Sequence, residues 1–162
     1  MKYALLFITL LIPSLVSSQE IHFTSNSRLV LGMGTDKSAS VSAGDIDNDG
    51  DIDLVVANGR HWPQTNKVFI NNGSGKFTVA KALDNIEETS YATELADIDN
   101  DGDLDVIVGN DMAPNALYLN DGAGNFLKSG SFGNPYSPTR NIKPLDIDSD
   151  GYLDIITNHR GK

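Results

Sequence analysis

The sequence predicts an all-β chain: an incomplete β-propeller of four-stranded antiparallel blades, with two complete blades, a half blade and a leading strand. Three observations predict it. An acidic nonapeptide begins at Asp45, Asp97 and Asp146, at spacings of 52 and 49 residues, and self-similarity at such a period marks a repeat architecture. Each copy is followed by a short apolar run, Leu54-Val55-Val56-Ala57, Val106-Ile107-Val108-Gly109 and Ile155-Ile156-Thr157, rich in β-branched residues and of a length that suits strands buried on both faces. No stretch carries a helical period. Four-stranded repeats of about 50 residues that bury both faces stack as propeller blades, typically four to eight to a ring.

The elements follow in order. Residues 1–18 hold Lys2, an apolar run from Tyr3 to Ile12, Pro13 and then Val16-Ser17-Ser18, which reads as a secretory signal peptide cut before Gln19. That run falls short of the roughly 20 residues needed to span a bilayer. The expectation is therefore a secreted, cell-surface or periplasmic protein with no membrane insertion after cleavage. Ile21-His22-Phe23-Thr24 resembles Lys76-Phe77-Thr78 and reads as an isolated outermost strand. Residues 19–162 then form the propeller repeats, with blade 1 at about 37–83, blade 2 at about 89–129 and a partial blade 3 at about 138–160.

First strands are expected at Ala39 to Ile46, Tyr91 to Ile98 and Arg140 to Ile147, and the apolar runs supply the second strands. Third strands follow at Lys67 to Asn71 and Ala116 to Asn120. Asn72-Gly73-Ser74-Gly75 and Asp121-Gly122-Ala123-Gly124 are hairpin signals, because such turns need positive φ. Last strands leave them at Lys76 to Ala82 and Asn125 to Ser129. Blade 3 lacks its third and fourth strands before Lys162, so closure is expected from the remaining blades of a longer chain or from self-association; a short open array is the alternative.

The formal net charge is −10, from 22 acidic and 12 basic side chains. Cleavage would remove Lys2 and no acid, giving −11, and this acidity argues against nucleic acid or an anionic membrane as the partner. Twelve of the acids are the Asp residues at positions 1, 3, 5 and 9 of the three nonapeptides, so the charge is mostly local chemistry. With no cysteine an exported domain has no disulfide to staple it, and bound metal is the evident substitute.

Each nonapeptide has the chemistry of a calcium loop. A hard cation takes six to eight oxygens, and carboxylates at positions 1, 3, 5 and 9 with the carbonyl of position 7 can supply most of them. Glycine at position 6 permits the turn. An EF-hand would need a bidentate Glu at position 12 and flanking helices, whereas position 12 is Val56, Val108 and Thr157 between strand-like flanks. A plain solvated acidic hairpin is the other alternative; four carboxylates in one turn repel one another unless a cation or protonation relieves them.

The Asp-x-Asp-x-Asp-Gly-x-x-Asp loops, the strands after them and the paired segments Val68 to Phe77 and Leu117 to Phe126 resemble the FG-GAP and VCBS repeat family, calcium-loop propeller blades also found in the integrin α-subunit head. The resemblance covers nearly all of residues 21 to 160. It implies about three Ca²⁺ sites whose side-chain ligands are Asp45, Asp47, Asp49 and Asp53; Asp97, Asp99, Asp101 and Asp105; and Asp146, Asp148, Asp150 and Asp154. Backbone carbonyls of Asp51, Asp103 and Tyr152 would complete the sets. It further implies that the calcium loops lie on one face of the disc and that ligands dock on the other.

On that other face the first loop between second and third strands, Gly59 to Asn66, is three residues longer than its counterpart and holds the only Trp. Arg60, His61 and Trp62 are candidate ligand-binding residues, with Trp62 either stacking on a sugar or peptide or plugging the disc. His159 and Arg160 fall near the equivalent place in blade 3. The loops Leu83 to Ser90 and Gly130 to Pro138, the latter with Phe132 and Tyr136, are further candidates. No serine elbow, phosphate loop or catalytic spacing is present, so no enzyme is expected. The sequence reads as an exported calcium-binding propeller protein for adhesion or recognition of an extracellular protein or glycan. The alternative is a non-catalytic accessory domain of a secreted carbohydrate-active enzyme, and a structural spacer comes third.

Overall fold

A computed structural model describes residue 31 and residues 35–161. The expected signal peptide and the expected leading strand at Ile21 to Thr24 lie outside the described residues. The ten strands are β1 (Ser38–Gly44), β2 (Asp53–Asn58), β3 (Lys67–Asn71), β4 (Phe77–Ala82), β5 (Ser90–Ala96), β6 (Asp105–Asn110), β7 (Asn115–Asn120), β8 (Phe126–Phe132), β9 (Thr139–Leu145) and β10 (Asp154–His159). They form antiparallel sheets in the orders β1-β2-β3-β4 and β5-β6-β7-β8, with a two-stranded sheet of β9 and β10. No helix occurs among the described residues, and none there is long and apolar enough to cross a membrane.

Strand β8 runs to Phe132, three residues beyond the predicted Ser129. Gly130, Ser131 and Phe132 therefore belong to the sheet, where Ser131 and Phe132 pair with Ala116 and Asn115, and the loop after it is correspondingly shorter. Glycine and serine in series masked a strand because their β-propensity is low; the ladder with β7 overrides it.

The cores lie between the sheets. Alternate side chains of a strand point to opposite faces, and β6 uses both. Val106 and Val108 join Val55, Val68, Ala116, Tyr118 and Ile46 between the first two sheets. Ile107 joins Ala92 and Ile142 between the second and third. Strand β5 lies against β1, and β9 against β5, so the first strand of each sheet forms one continuous inner flank. The predicted burial of second strands on both faces holds for β6 and fails for β10, where Ile156 is 46% exposed. The described residues place no sheet beyond it, and they do not close a ring.

Polar seams reinforce the apolar ones. Ser42 Oγ donates to the Thr93 carbonyl at 2.6 Å and Thr93 N donates to Ser40 Oγ at 2.9 Å, stitching β1 to β5. Asn120 Nδ2 donates to the Ile46 carbonyl at 2.7 Å across the same interface. Such buried bonds contribute little net free energy when made, but leaving either partner alone costs about 1–3 kcal/mol. Their geometry fixes how one sheet sits on the next.

Because Ile107 is fully buried in the second seam, Ile107→Ala should lower unfolding free energy by about 2–5 kcal/mol in urea titration. A loss below about 1 kcal/mol would mean that the second and third sheets do not pack as described.

Candidate metal centres and the opposite rim

Each acidic nonapeptide joins the first two strands of its sheet, and the three adopt one backbone design. Position 4 is left-handed, with φ of 59° at Asn48, 60° at Asn100 and 63° at Ser149. Position 6 is Gly50, Gly102 or Gly151, with φ of 91°, 98° and 90°. Asn tolerates the first conformation better than most residues and Gly is suited to the second. The need at position 4 was signalled by the Asn residues and missed.

Within this turn the position-1 carboxylate accepts two backbone N–H groups. Asp45 takes those of Asp49 and Gly50 at 3.1 and 3.0 Å. Asp97 and Asp146 do the same for Asp101 and Gly102, and for Asp150 and Gly151. Position 5 then caps position 7: Asp49, Asp101 and Asp150 accept from Asp51, Asp103 and Tyr152 at 2.9 to 3.0 Å. The acids thus order the loop and leave lone pairs facing its centre.

Position 9 does something different. Asp53 is fully buried, accepting from Ile46 N at 3.0 Å with one oxygen and from Asn71 N at 2.7 Å with the other. Asp105 repeats this with Ile98 N and Asn120 N, both at 2.8 Å. Asp154 accepts from Ile147 N at 3.0 Å and is exposed, since no described strand covers it. Burial pushes the Asp105 carboxyl above the ordinary carboxylate range despite these bonds.

Carboxylate oxygens of three residues converge within 4.8 Å in every loop: Asp45, Asp47 and Asp53; Asp97, Asp99 and Asp101; Asp146, Asp148 and Asp154. Asp49, Asp105 and Asp150 stand outside these sets. Asp51 and Asp103 turn their side chains to the 3–4 hairpins, where a β-carbon on Gly73 or Gly122 would lie 2.6 Å from their carboxylates. Asp103 also accepts from Asn48 Nδ2 at 2.7 Å, tying one acidic loop to the next. Asp47 is the informative member: its Oδ1 is buried and has no hydrogen-bond partner. Desolvation, then the charges of Asp53, Asp49 and Asp45, hold its carboxyl above the usual range. A buried, unpartnered oxygen beside two more carboxylates is a donor set for a hard divalent cation.

The antiparallel strands put the 2–3 and 4–1 loops at the other end of the sheets. There Arg60, His61, His159 and Arg160 meet Tyr91 and Arg140 around a cavity of about 590 Å³. Four of the five predicted ligand-binding residues are thereby brought together from the first and third sheets. Trp62 does not line this cavity. It is 64% exposed, with Lys37 Nζ 5.3 Å above its ring.

Tyr91 and Arg140 were missed, and the reason is local. Each register slips at the start of β5 and at the end of β10, and such bulges re-aim side chains. Only the alignment of Ala39, Tyr91 and Arg140 as second residues of β1, β5 and β9 marks them. Arg140 stacks 3.9 Å from the Tyr91 ring centroid and pairs with Asp111 at 3.0 Å.

A further repeated device anchors these loops. Asn66 and Asn115 accept the backbone N–H of Asn58 and Asn110 at 2.9 and 3.0 Å, closing the 2–3 loop in both complete sheets.

The family model for the FG-GAP-like repeat matches residues 45–108 and 97–157. Each match runs from one acidic loop into the next apolar second strand, and the overlap is the second loop with the first four residues of β6. No curated protein matches the chain.

Gly50 has open space where a β-carbon would go, so Gly50→Ala isolates the backbone requirement. It should cost about 1–2 kcal/mol of stability from the left-handed angle alone; a neutral or stabilising result in chemical denaturation would show that the loop is not held in this turn. A divalent cation such as calcium, if held by these carboxylates, should show a pH-dependent effect. The raised Asp47 carboxyl must lose its proton before it can ligate, so the rise in melting temperature on adding calcium should vanish as pH falls into the carboxylate range and grow as pH rises above it. An increment independent of pH would contradict the carboxylate donor set.

Proposed function

The chain belongs to the FG-GAP-like repeat family, and from that premise we propose a calcium-clamped, non-catalytic recognition module. Its three acidic loops each hold Ca²⁺, in the manner of integrin-type propeller blades, and its opposite rim meets an extracellular protein or glycan in adhesion. Export is part of this reading, since millimolar calcium is an extracellular condition.

The observation that carries the calcium assignment is the buried, unpartnered Asp47 Oδ1 at the convergence with Asp45 and Asp53. In that loop Asp45, Asp47 and Asp53 are the primary donors, and Asp49 with the Asp51 carbonyl would complete the set. The cation supplies positive charge to offset carboxylates packed together. The chain's own residues do the rest: Asp45 shapes the turn and Asp53 ties it to β3. Extracellular calcium modules bind with Kd of about 10⁻⁴ to 10⁻³ M, so roughly millimolar calcium would add about 0.4–1.4 kcal/mol per site by mass action.

Recognition is supported by the rim's composition. Arginine, tyrosine and tryptophan are the side chains that most often anchor interfaces, and exposed Trp62, next in chain to His61, is free to stack. That exposed ring also favours the second reading, a sugar-binding accessory domain of a secreted carbohydrate-active enzyme.

Calorimetric titration with calcium, paired with melting in calcium and in chelator, tests the clamp; heat of binding and a higher melting temperature are expected. No heat and an unchanged melting temperature would refute it. For the rim, Trp62→Ala should weaken binding on a glycan and protein array and leave the melting temperature in place, because the ring buries little. Loss of stability with binding intact would assign Trp62 a packing role.

A further inference from the structure

The two ends of the sheets differ in charge as well as in shape. In a chain of net charge −10, the cavity at the rim is lined by Arg60, Arg140 and Arg160 with His61 and His159. Asp111 is the carboxylate paired there, with Arg140. Among the described residues Arg60 and Arg160 have no carboxylate partner.

The centre of this basin is preorganised. Arg140 is held by Asp111, by the Thr139 carbonyl at 3.0 Å from Nη1, and by the Tyr91 ring beneath it. Tyr91 is fixed in turn by its hydroxyl, 3.2 Å from His61 Nδ1. His61 has a φ of 80°, a conformation that costs a non-glycine residue energy and that concentrates at ligand sites. A guanidinium already oriented loses less freedom when it captures an oxyanion, and guanidinium geometry matches a carboxylate or sulfate with two parallel hydrogen bonds.

The basin does not end at these residues. Arg140, His159 and Arg160 also border a second cavity of about 770 Å³, on the side of Met112 and Tyr136. Tyr136 is 77% exposed. The result is a trough with Arg60, Arg140 and Arg160 along it and Tyr136 at the end of the second cavity. Ala39 is the single aliphatic residue lining the first cavity. Arginine clusters also read acidic peptide motifs, but the non-aromatic apolar lining that a peptide's other side chains would use is limited to Ala39, Met112 and Pro138 around the two cavities. An exposed tyrosine ring beside a row of guanidinium groups suits sugar rings bearing acidic groups.

We propose that the rim trough binds an acidic oligosaccharide, with Arg60, Arg140 and Arg160 receiving its carboxylate or sulfate groups. This rests on the reading of the rim as the recognition surface and names its ligand class. Arg60 and Arg160 supply mobile charge at the walls, and Arg140 is the fixed point.

The test uses the full chain in calcium. Binding is measured by calorimetry to hexagalacturonate and to a sulfated chondroitin hexasaccharide, which separate carboxylate from sulfate, alongside a neutral cellulose hexasaccharide and a hexaglutamate peptide. Binding to an acidic saccharide is expected, weakened by added salt, and reduced roughly tenfold in Arg60→Gln/Arg160→Gln. The melting temperature should not move, since both side chains are exposed. Equal binding of the neutral saccharide, stronger binding of the peptide, or an unaffected double variant would each overturn the inference and leave recognition at the rim standing. If neither acidic saccharide binds, the inference fails; if a glycan and protein array is also silent, recognition at the rim fails with it.

Discussion

The carboxylate at position 9 of each loop is the constraint on which the rest depends. In Asp53 and Asp105 it sits at the first residue of the second strand, fully buried, and accepts backbone N–H groups from both sides. One comes from the loop's second residue and the other from the end of the third strand. Three strands and a turn are therefore registered by one side chain. Replacing it with an apolar residue would leave two buried N–H groups without acceptors, which is why an ionisable residue is found in so dry a place. The same residue faces the convergence of acids in the first and third loops, so any cation there is coupled to strand registry.

Around that constraint each sheet is copied with small changes. Ser38 with Asn58 and Ser90 with Asn110 link the start of the first strand to the end of the second, at 2.8 Å in both. In the third sheet Thr139 and His159 hold the same positions. His159 is thus a scaffold asparagine replaced by a residue with chemistry, and it lies in the trough. Sheets stack because their inner faces are apolar, and they stack in one arrangement because Thr93, Asn120 and Asn48 reach across the gaps.

Much of this was legible in the sequence because it is periodic. The loops, the runs after them and the Asn-Gly and Asp-Gly turns recur in phase, and local signals at fixed spacing survive without tertiary knowledge. What could not be read was non-local or concealed by composition. The last residues of β8 are hidden in Gly130 and Ser131, whose partners are across the hairpin. The uneven convergence of acids, with Asp101 in the second set and Asp53 and Asp154 in the others, arises in loops of nearly the same sequence and so has no mark in it. Arg60, His61, His159 and Arg160 could be named from loop position, but Tyr91 and Arg140 sit within strands, and a bulge carries no sequence mark of its own.

The separation of charge between the two ends has a mechanical meaning. Strands of six or seven residues span about 20 Å, so acidic loops and guanidinium rim form the two poles of a dipole along the strand direction. Near a polyanionic surface such a body experiences a torque before it makes any contact, and turns its cationic pole inward. Cations seated in the loops would reduce the opposite pole and with it the turning force, so calcium would change how the molecule approaches a target as well as how firmly it is folded.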